Sequence, residues 1–145
     1  MTESLIEQYL NGIVDEFKTK LTIENGYRVQ PVNVYSYLIE LVNISKAPAL
    51  SFVVVNDSFT EIMSGSGLKM IEISCIGVAQ SKEEMFRFAE DVQSFLYKSS
   101  SDFTYNNQIV VLTNRGPNYG YSTVNDAVSR FTFDFSFGIM IDYIF

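Results

Sequence analysis

The last fifteen residues of the chain, Phe131 to Phe145, read FTFDFSFGIMIDYIF and alternate in character almost throughout. Aromatic and aliphatic side chains occupy the odd-numbered positions, whereas Thr132, Asp134 and Ser136 lie between them. A period of two places alternate side chains on opposite faces of a β-strand. At about 3.3 Å per residue this strand would be about 50 Å long, against the usual ~17–20 Å. The stretch therefore predicts a long strand that either curves around its own core or reaches a second subunit.

Two other stretches carry apolar residues at the three- and four-residue spacing of an amphipathic helix. The first runs from Leu5 to Lys20, and the second follows Ser81 and ends near Ser99. Each begins with a capping box, because a glutamate stands three residues after Ser4 and three residues after Ser81. Both segments are therefore predicted to be helices with one face against a core.

The remaining pattern predicts strands. The apolar run from Ala49 to Val55 is typical of a central strand, and the alternation from Leu68 to Ala79 predicts its neighbour. The polar stretch from Asn56 to Gly67 is expected to be a long hairpin connection. A further strand at Gln108–Thr113 and a loop at Asn114–Ser122 are expected before the C-terminal strand.

These elements predict an α+β fold, in which a small, mostly antiparallel β-sheet is flanked by two amphipathic helices and ends in a long C-terminal strand. The stretch from Tyr27 to Ile44 predicts a short strand followed by a segment without a clear pattern, which covers residues 31–46. The chain has 145 residues and shows no linker or internal repeat. It is therefore predicted to be a single domain, residues 1–145.

Charge and cysteine content exclude several classes of function. The net charge is −7, and the ten Lys and Arg residues are scattered singly. Nucleic-acid binding through phosphate contacts is therefore not expected. An acidic surface nevertheless suits a channel through which DNA slides without binding. The single cysteine, Cys75, lies in an apolar stretch and is expected to be a buried core residue in a reducing compartment. No signal peptide or membrane span is predicted, so no membrane partner is expected.

Catalytic chemistry is not expected from these residues. The chain contains no histidine, which removes the commonest general base and metal ligand. Asp134 and Asp142 would lie about 26 Å apart along one strand. Glu90 and Asp91 are expected on a solvated helix face. The glycines of the SGSG stretch (64–67) lie in a connection between two predicted strands and precede no helix whose N-terminus could hold a phosphate. We therefore predict no catalytic residue, no cofactor and no metal site.

Four segments resemble the tail-terminator family of long-tailed bacteriophages, whose members are also called minor tail or tail-completion proteins. The segments are PALSFVVVND (48–57) leading to SGSG, LKMIEISCIGVA (68–79), SKEEMFRFAEDVQSFL (81–96) and RFTFDFSFGIMIDY (130–143). The order of helices and strands and their polarity carry this resemblance. Residues 31–46 depart from the family pattern.

The resemblance implies a ring, usually a hexamer, on the last ring of the tail tube. Such a ring stops polymerisation of the tube and provides the surface on which the filled head docks. It implies as partners further copies of this chain, the tail-tube protein and a head-completion or connector protein, with genome DNA passing the channel without specific binding. The implied location is the neck region of the virion tail, after assembly in the host cytoplasm.

The resemblance also indicates which residues would contact other subunits. Phe59, Ile62 and Met63 match the projecting hairpin of the family, with folding back over the core as the alternative. Apart from the resemblance, the tyrosines and the arginine of the loop at Asn114–Ser122 have the chemistry of interface anchors, with an ordinary exposed loop as the alternative. The last odd-numbered residues of the C-terminal strand extend its apolar face, which favours contact with another subunit. The remaining interface candidates are Arg115, Tyr119, Tyr121, Ile141, Tyr143 and Phe145.

Two other functions remain open from the sequence. A tail-tube or connector (neck) subunit would share the strand pattern but would polymerise or join differently. A monomeric binding domain would use an edge strand to accept a peptide by β-augmentation. The mass in solution distinguishes the last class, since such a domain would stay near 16.5 kDa.

Overall fold

The computed structural model describes residues 4–36, 47–98, 110–124 and 127–144. These ranges contain two helices and five strands, and the α+β prediction is confirmed. In chain order the elements are α1 (Leu5–Lys20), β1 (Asn33–Tyr35), β2 (Ala49–Met63), β3 (Ser66–Ala79), α2 (Lys82–Lys98), β4 (Val110–Val124) and β5 (Ala127–Ile144).

The five strands form one sheet in the order β1-β2-β3-β5-β4. β1 runs parallel to β2, and every other neighbouring pair is antiparallel. The predicted long C-terminal strand is present, and β5 has 18 residues. It pairs with β3 from Phe131 to Ile144 and with β4 on its other side. The long β5 therefore pairs within its own chain with two other long strands, β3 of 14 residues and β4 of 15 residues.

The predicted long connection at residues 56–67 was wrong. β2 continues to Met63, β3 begins at Ser66, and Met63 pairs directly with Ser66. Only Ser64 and Gly65 form the turn, and Gly65 has a positive φ of 80° that favours glycine. The polar composition was misleading because this half of the hairpin is exposed, so it lacks the apolar alternation of a half-buried strand.

The predicted loop at residues 114–122 was also wrong, because β4 runs through it. Arg115 pairs with Ser136 and Asn118 pairs with Asp134, so one extra residue on β4 forms a β-bulge. Gly116 lies in this bulge with a φ of 117°. Pro117 is tolerated because β4 is an edge strand of the described sheet. Gly and Pro therefore mark a bulge here rather than the end of a strand.

Both helices begin as the sequence predicts. The Ser4 hydroxyl accepts a hydrogen bond from the Glu7 N–H at 3.2 Å, and the Ser81 hydroxyl accepts one from the Glu84 N–H at 3.1 Å. The Glu84 carboxylate in turn accepts from the Gln80 N–H at 3.0 Å. These contacts satisfy backbone donors that have no partner within the helix. Among the described residues, neither helix has the length and continuous apolar character that a membrane crossing requires.

The two helices pack on the same face of the sheet and form one hydrophobic core with it. The odd-numbered residues of β5 from Phe131 to Ile141 lie on this face, and Phe133, Phe135 and Phe137 are fully buried there. Phe17 of α1 contacts both Phe52 of β2 and Phe95 of α2, with ring centroids 4.8 Å and 4.6 Å apart. Aromatic contacts therefore join both helices to the sheet.

Cys75 lies in the middle of this core and is fully buried, as the sequence predicts. Burial raises the pKa of its thiol, and the charge of Asp134 raises it further. A thiol that stays protonated is a poor nucleophile. Cys75 is therefore a structural core residue.

Candidate functional site

The outer half of the β2–β3 hairpin carries exposed apolar side chains, as the sequence anticipated for Ile62 and Met63. We call residues 55–70 the distal hairpin. The first four residues of β2 are buried, whereas from Val55 onward most of the strand is exposed. Val55 is 55% exposed, Ile62 64%, Met63 66% and Met70 38%. All four side chains lie on this one hairpin, which makes it a candidate docking surface.

Two of the three predicted hairpin residues are therefore at the surface. Ile62 and Met63 do not fold back over the core, and Phe59 is half-buried opposite Lys69. The Lys69 ammonium forms an ion pair with the Asp57 carboxylate at 3.0 Å, across the two strands. This cross-strand pair helps to hold the distal hairpin in one register.

The end of β5 supports the distal hairpin from its other side. Ile141 pairs with Lys69 in the strand register and is 1% exposed, so it belongs to the core of its own chain. It is therefore not an accessible interface residue. The backbone of Tyr143 pairs with that of Gly67, and the structure does not describe the Tyr143 side chain. Phe145 lies outside the described residues.

A second surface is formed by tyrosines on the edge strand β4. Tyr119 is 41% exposed and Tyr121 is 51% exposed. Their rings rest on Phe86 and Phe131, with centroid distances of 5.0 Å and 5.9 Å. These edge-to-face contacts hold the tyrosines while leaving part of each ring accessible, as in rigid interface anchors.

The environment of Tyr119 is partly apolar and partly acidic. Burial raises the pKa of its phenol, and the negative charge of Glu90 raises it further. Tyr119 therefore stays a neutral hydrogen-bonding group. Arg115 lies on the same strand, four residues before Tyr119, and its side chain is not described.

The third surface is a groove of about 660 Å³ between α1 and β1, which we call the α1–β1 groove. One wall is formed by α1, and the other by seven consecutive residues that include all of β1. The lining residues are Asn11, Val14, Asp15, Lys18, Gln30, Pro31, Val32, Asn33, Val34, Tyr35 and Ser36. Amide, hydroxyl and charged groups therefore outnumber the aliphatic side chains of the groove.

Asp91 corrects the expectation of a solvated helix face. It is 6% exposed, and its carboxylate accepts hydrogen bonds from the backbone N–H groups of Arg28 and Val29 at 2.7 Å and 2.9 Å. The Arg28 guanidinium bonds Asp91 at 3.3 Å and Glu90 at 2.7 Å. These bonds raise the pKa of Arg28, with Glu90 as the largest cause. The four contacts fasten the segment after α1 to α2.

The described residues offer little that resembles a reactive centre. No group of three or more Cys, Asp or Glu side chains in these ranges could hold a metal ion. Asp134 accepts a hydrogen bond from the Asn118 amide at 3.0 Å, and Glu72 accepts one from the Ser136 hydroxyl at 2.8 Å. These carboxylates serve as acceptors on the sheet face away from the helices. No protein-family model matches the chain, and a search of curated proteins finds no significant match.

Sequence reasoning missed the groove, the exposed Val55 and Met70, and the buried Asp91. The groove depends on how α1 approaches β1, which no local pattern encodes. Val55 lies at a register shift between Val54 and Asn56, so the bulge moves the later residues of β2 relative to β3. The continuous apolar run from Ala49 to Val55 predicts a buried strand, but burial ends before Val55, which lies at the bulge.

Proposed function

We propose that this chain is a structural, non-enzymatic assembly protein that acts as a phage tail terminator. It would form a ring, hexameric in the simplest case, on the last ring of the tail tube and would present the head-joining surface. The distal hairpin is the observation that carries the proposal. Ile62 and Met63 are about two-thirds exposed at the tip of a long hairpin, where they contribute little to the core.

The distribution of surfaces supports a ring. A ring needs two different patches on each subunit, because each subunit binds the next through unlike surfaces that no twofold axis relates. The chain presents the distal hairpin, the β4 tyrosines and the α1–β1 groove as three distinct surfaces. Its net charge of −7 suits a channel that passes DNA without retaining it.

A second candidate is a monomeric peptide-binding domain, and the α1–β1 groove is the observation that favours it. The groove lies beside β1, an edge strand of the described sheet that could accept one more strand. A tail-tube or connector subunit is the other alternative within the assembly class.

The first test is the solution mass of the purified protein by light scattering over a concentration series, with negative-stain images of the same samples. We expect rings of 16.5 kDa subunits, either in solution or only at the ends of added tail tubes. Open filaments would assign the chain to the tube subunits instead. A monomer that does not bind tail tubes at any concentration would favour the peptide-binding domain.

The docking role of the distal hairpin is tested by the double substitution Ile62→Ser and Met63→Ser. Because both side chains are largely exposed, the free energy of unfolding should change by no more than about 0.5 kcal/mol per site. Attachment to tube ends, counted in electron micrographs, should fall at least about tenfold, which corresponds to a loss of about 1.4 kcal/mol in binding.

Tyr97→Ser is the matched control, because Tyr97 is 65% exposed on α2, away from the hairpin. It should leave tube attachment unchanged. Equal loss of attachment in both proteins, or normal attachment of the double variant, would contradict the role of the hairpin.

A further inference from the structure

We propose that Asn25 is a modification site, at which the side-chain amide is lost through a cyclic imide formed with Gly26 while the protein stays folded. The products are aspartate and isoaspartate at position 25. Two Asn-Gly pairs occur in the chain, Asn11 with Gly12 and Asn25 with Gly26. The first pair lies within α1, and the second lies in the turn that follows this helix. The fold therefore places one pair of residues in two different environments.

The reaction needs only the two residues and water. The backbone nitrogen of Gly26 loses its proton to hydroxide and bonds to Cγ of Asn25, and the bond from Cγ to the amide nitrogen breaks as ammonia leaves. Water then opens the imide. Addition of water to Cγ gives aspartate, whereas addition to the backbone carbonyl carbon gives isoaspartate. Glycine favours ring closure because it has no side chain to hinder the approach of its nitrogen.

The turn after α1 leaves this pair accessible. Asn25 and Gly26 are both exposed, and Gly26 has a φ of 94°. Beyond the adjacent residues, no heavy atom lies within 4 Å of the position that a Cβ on Gly26 would occupy, so the ring has room to form. The Gly26 N–H donates to the Ile23 carbonyl at 3.0 Å, and Ile23 is itself 63% exposed. This surface bond can open without disturbing the core.

The fold protects the other pair. Gly12 lies in the middle of α1, where its N–H belongs to the hydrogen-bond ladder of the helix. The next two residues, Ile13 and Val14, are 1% and 4% exposed in the core. The Gly12 nitrogen can reach the Asn11 side chain only when α1 unwinds and leaves the sheet. This opening has a higher free energy than the opening of a surface turn, so Asn11 should react more slowly.

The amide that is lost contributes to the end of α1. The Asn25 amide donates a hydrogen bond to the Lys20 carbonyl at 2.9 Å. Such donors matter because the last carbonyls of a helix have no partner within it. A carboxylate cannot donate this bond, and its charge lies next to the negative end of the helix dipole. The modification therefore weakens the end of α1 and makes a chain of net charge −7 more acidic.

The test is a timed incubation of the full chain at mildly alkaline pH, native and in urea, followed by trypsin digestion and mass spectrometry. Cleavage after Lys20 and Arg28 places Asn25 in peptide 21–28, whereas Asn11 lies in the peptide that ends at Lys18. In urea, both peptides should lose the amide at similar rates. In the native protein, we expect Asn25 to react at least about tenfold faster than Asn11. An acidic form should appear on anion exchange at the same rate.

Two variants assign the acidic form to its site. Asn25→Gln lengthens the side chain and disfavours ring closure, so this protein should give neither the acidic form nor a modified peptide 21–28. Asn118→Gln is the control, because Asn118 is also exposed but precedes a tyrosine, and it should leave both unchanged.

The proposal is overturned if the native rate at Asn25 exceeds that at Asn11 by less than about tenfold. It is also overturned if native peptide 21–28 stays unmodified while the urea sample reacts to completion. Neither result depends on ring formation, so both would leave the proposed function intact.

Discussion

Replacing Phe17 with alanine is expected to lower the free energy of unfolding by about 4 kcal/mol, the usual range for a fully buried phenylalanine being ~3–5 kcal/mol. Phe17 is fully buried, and its ring contacts Phe52 at 4.8 Å and Phe95 at 4.6 Å. It thus lies where α1, α2 and the sheet meet. Its removal leaves a cavity lined by aromatic rings that are held by other contacts, so the site can collapse only partly.

The measurement is urea denaturation followed by far-ultraviolet circular dichroism, since the chain contains no tryptophan. A domain of this size has a total stability of about 5–15 kcal/mol, so the Phe17→Ala protein should be close to unfolded at 37 °C if the wild type is near the lower limit. Tyr97→Ala is the control, because Tyr97 is 65% exposed, and it should change stability by less than about 0.5 kcal/mol. A loss below about 2 kcal/mol for Phe17→Ala would mean that α1 does not pack as described.

The sequence predicted the core well because the helices and the inner strand halves follow simple periodicities. α1 runs from Leu5 to Lys20 in both the prediction and the structure, and the odd residues of β5 from Phe131 to Ile141 face the helices. Each of these segments buries one face and exposes the other, so the polarity of a residue indicates which face it lies on. The local pattern and the tertiary structure agree wherever that condition holds.

The prediction of secondary structure failed where a polar composition indicated a loop but the segment pairs as a strand. Residues 114–122 contain two Gly, one Pro, two Asn and one Ser, a composition typical of loops, and five of the eight residues 56–63 are polar. They are strands because β3 and β5 provide long partners whose backbone groups pair with them. The pairing depends on residues distant in the chain, and no short window of sequence contains it.

The candidate surfaces were predicted only in part, for the same reason. Tyr119 and Tyr121 were identified from their chemistry, and Ile62 and Met63 from the resemblance; each is exposed. Ile141 was identified because it extends the apolar face of the last strand, but it is buried, because an apolar strand face gives no sign of what covers it. Exposure depends on the packing of whole elements.

Asp91 is the position where the sequence was least informative, and its replacement with alanine is expected to cost about 3 kcal/mol of folding free energy. Leaving a buried donor unsatisfied costs about 1–3 kcal/mol. The Asp91 carboxylate satisfies the N–H groups of Arg28 and Val29, of which Val29 is 8% exposed. Alanine at position 91 offers no acceptor, and water reaches these donors only if the segment separates from α2.

Two matched variants separate the backbone contacts from the ion pair. Glu90→Ala removes the 2.7 Å bond to Arg28 from an exposed carboxylate, and exposed pairs contribute about 0–1 kcal/mol. Asp91→Asn keeps an oxygen acceptor of the same shape but removes the charge, so its loss should fall between those of Glu90→Ala and Asp91→Ala. Urea denaturation of the three proteins should give that order. If Glu90→Ala destabilised the protein as much as Asp91→Ala, the Arg28 ion pairs would hold the segment, and the buried backbone contacts would be secondary.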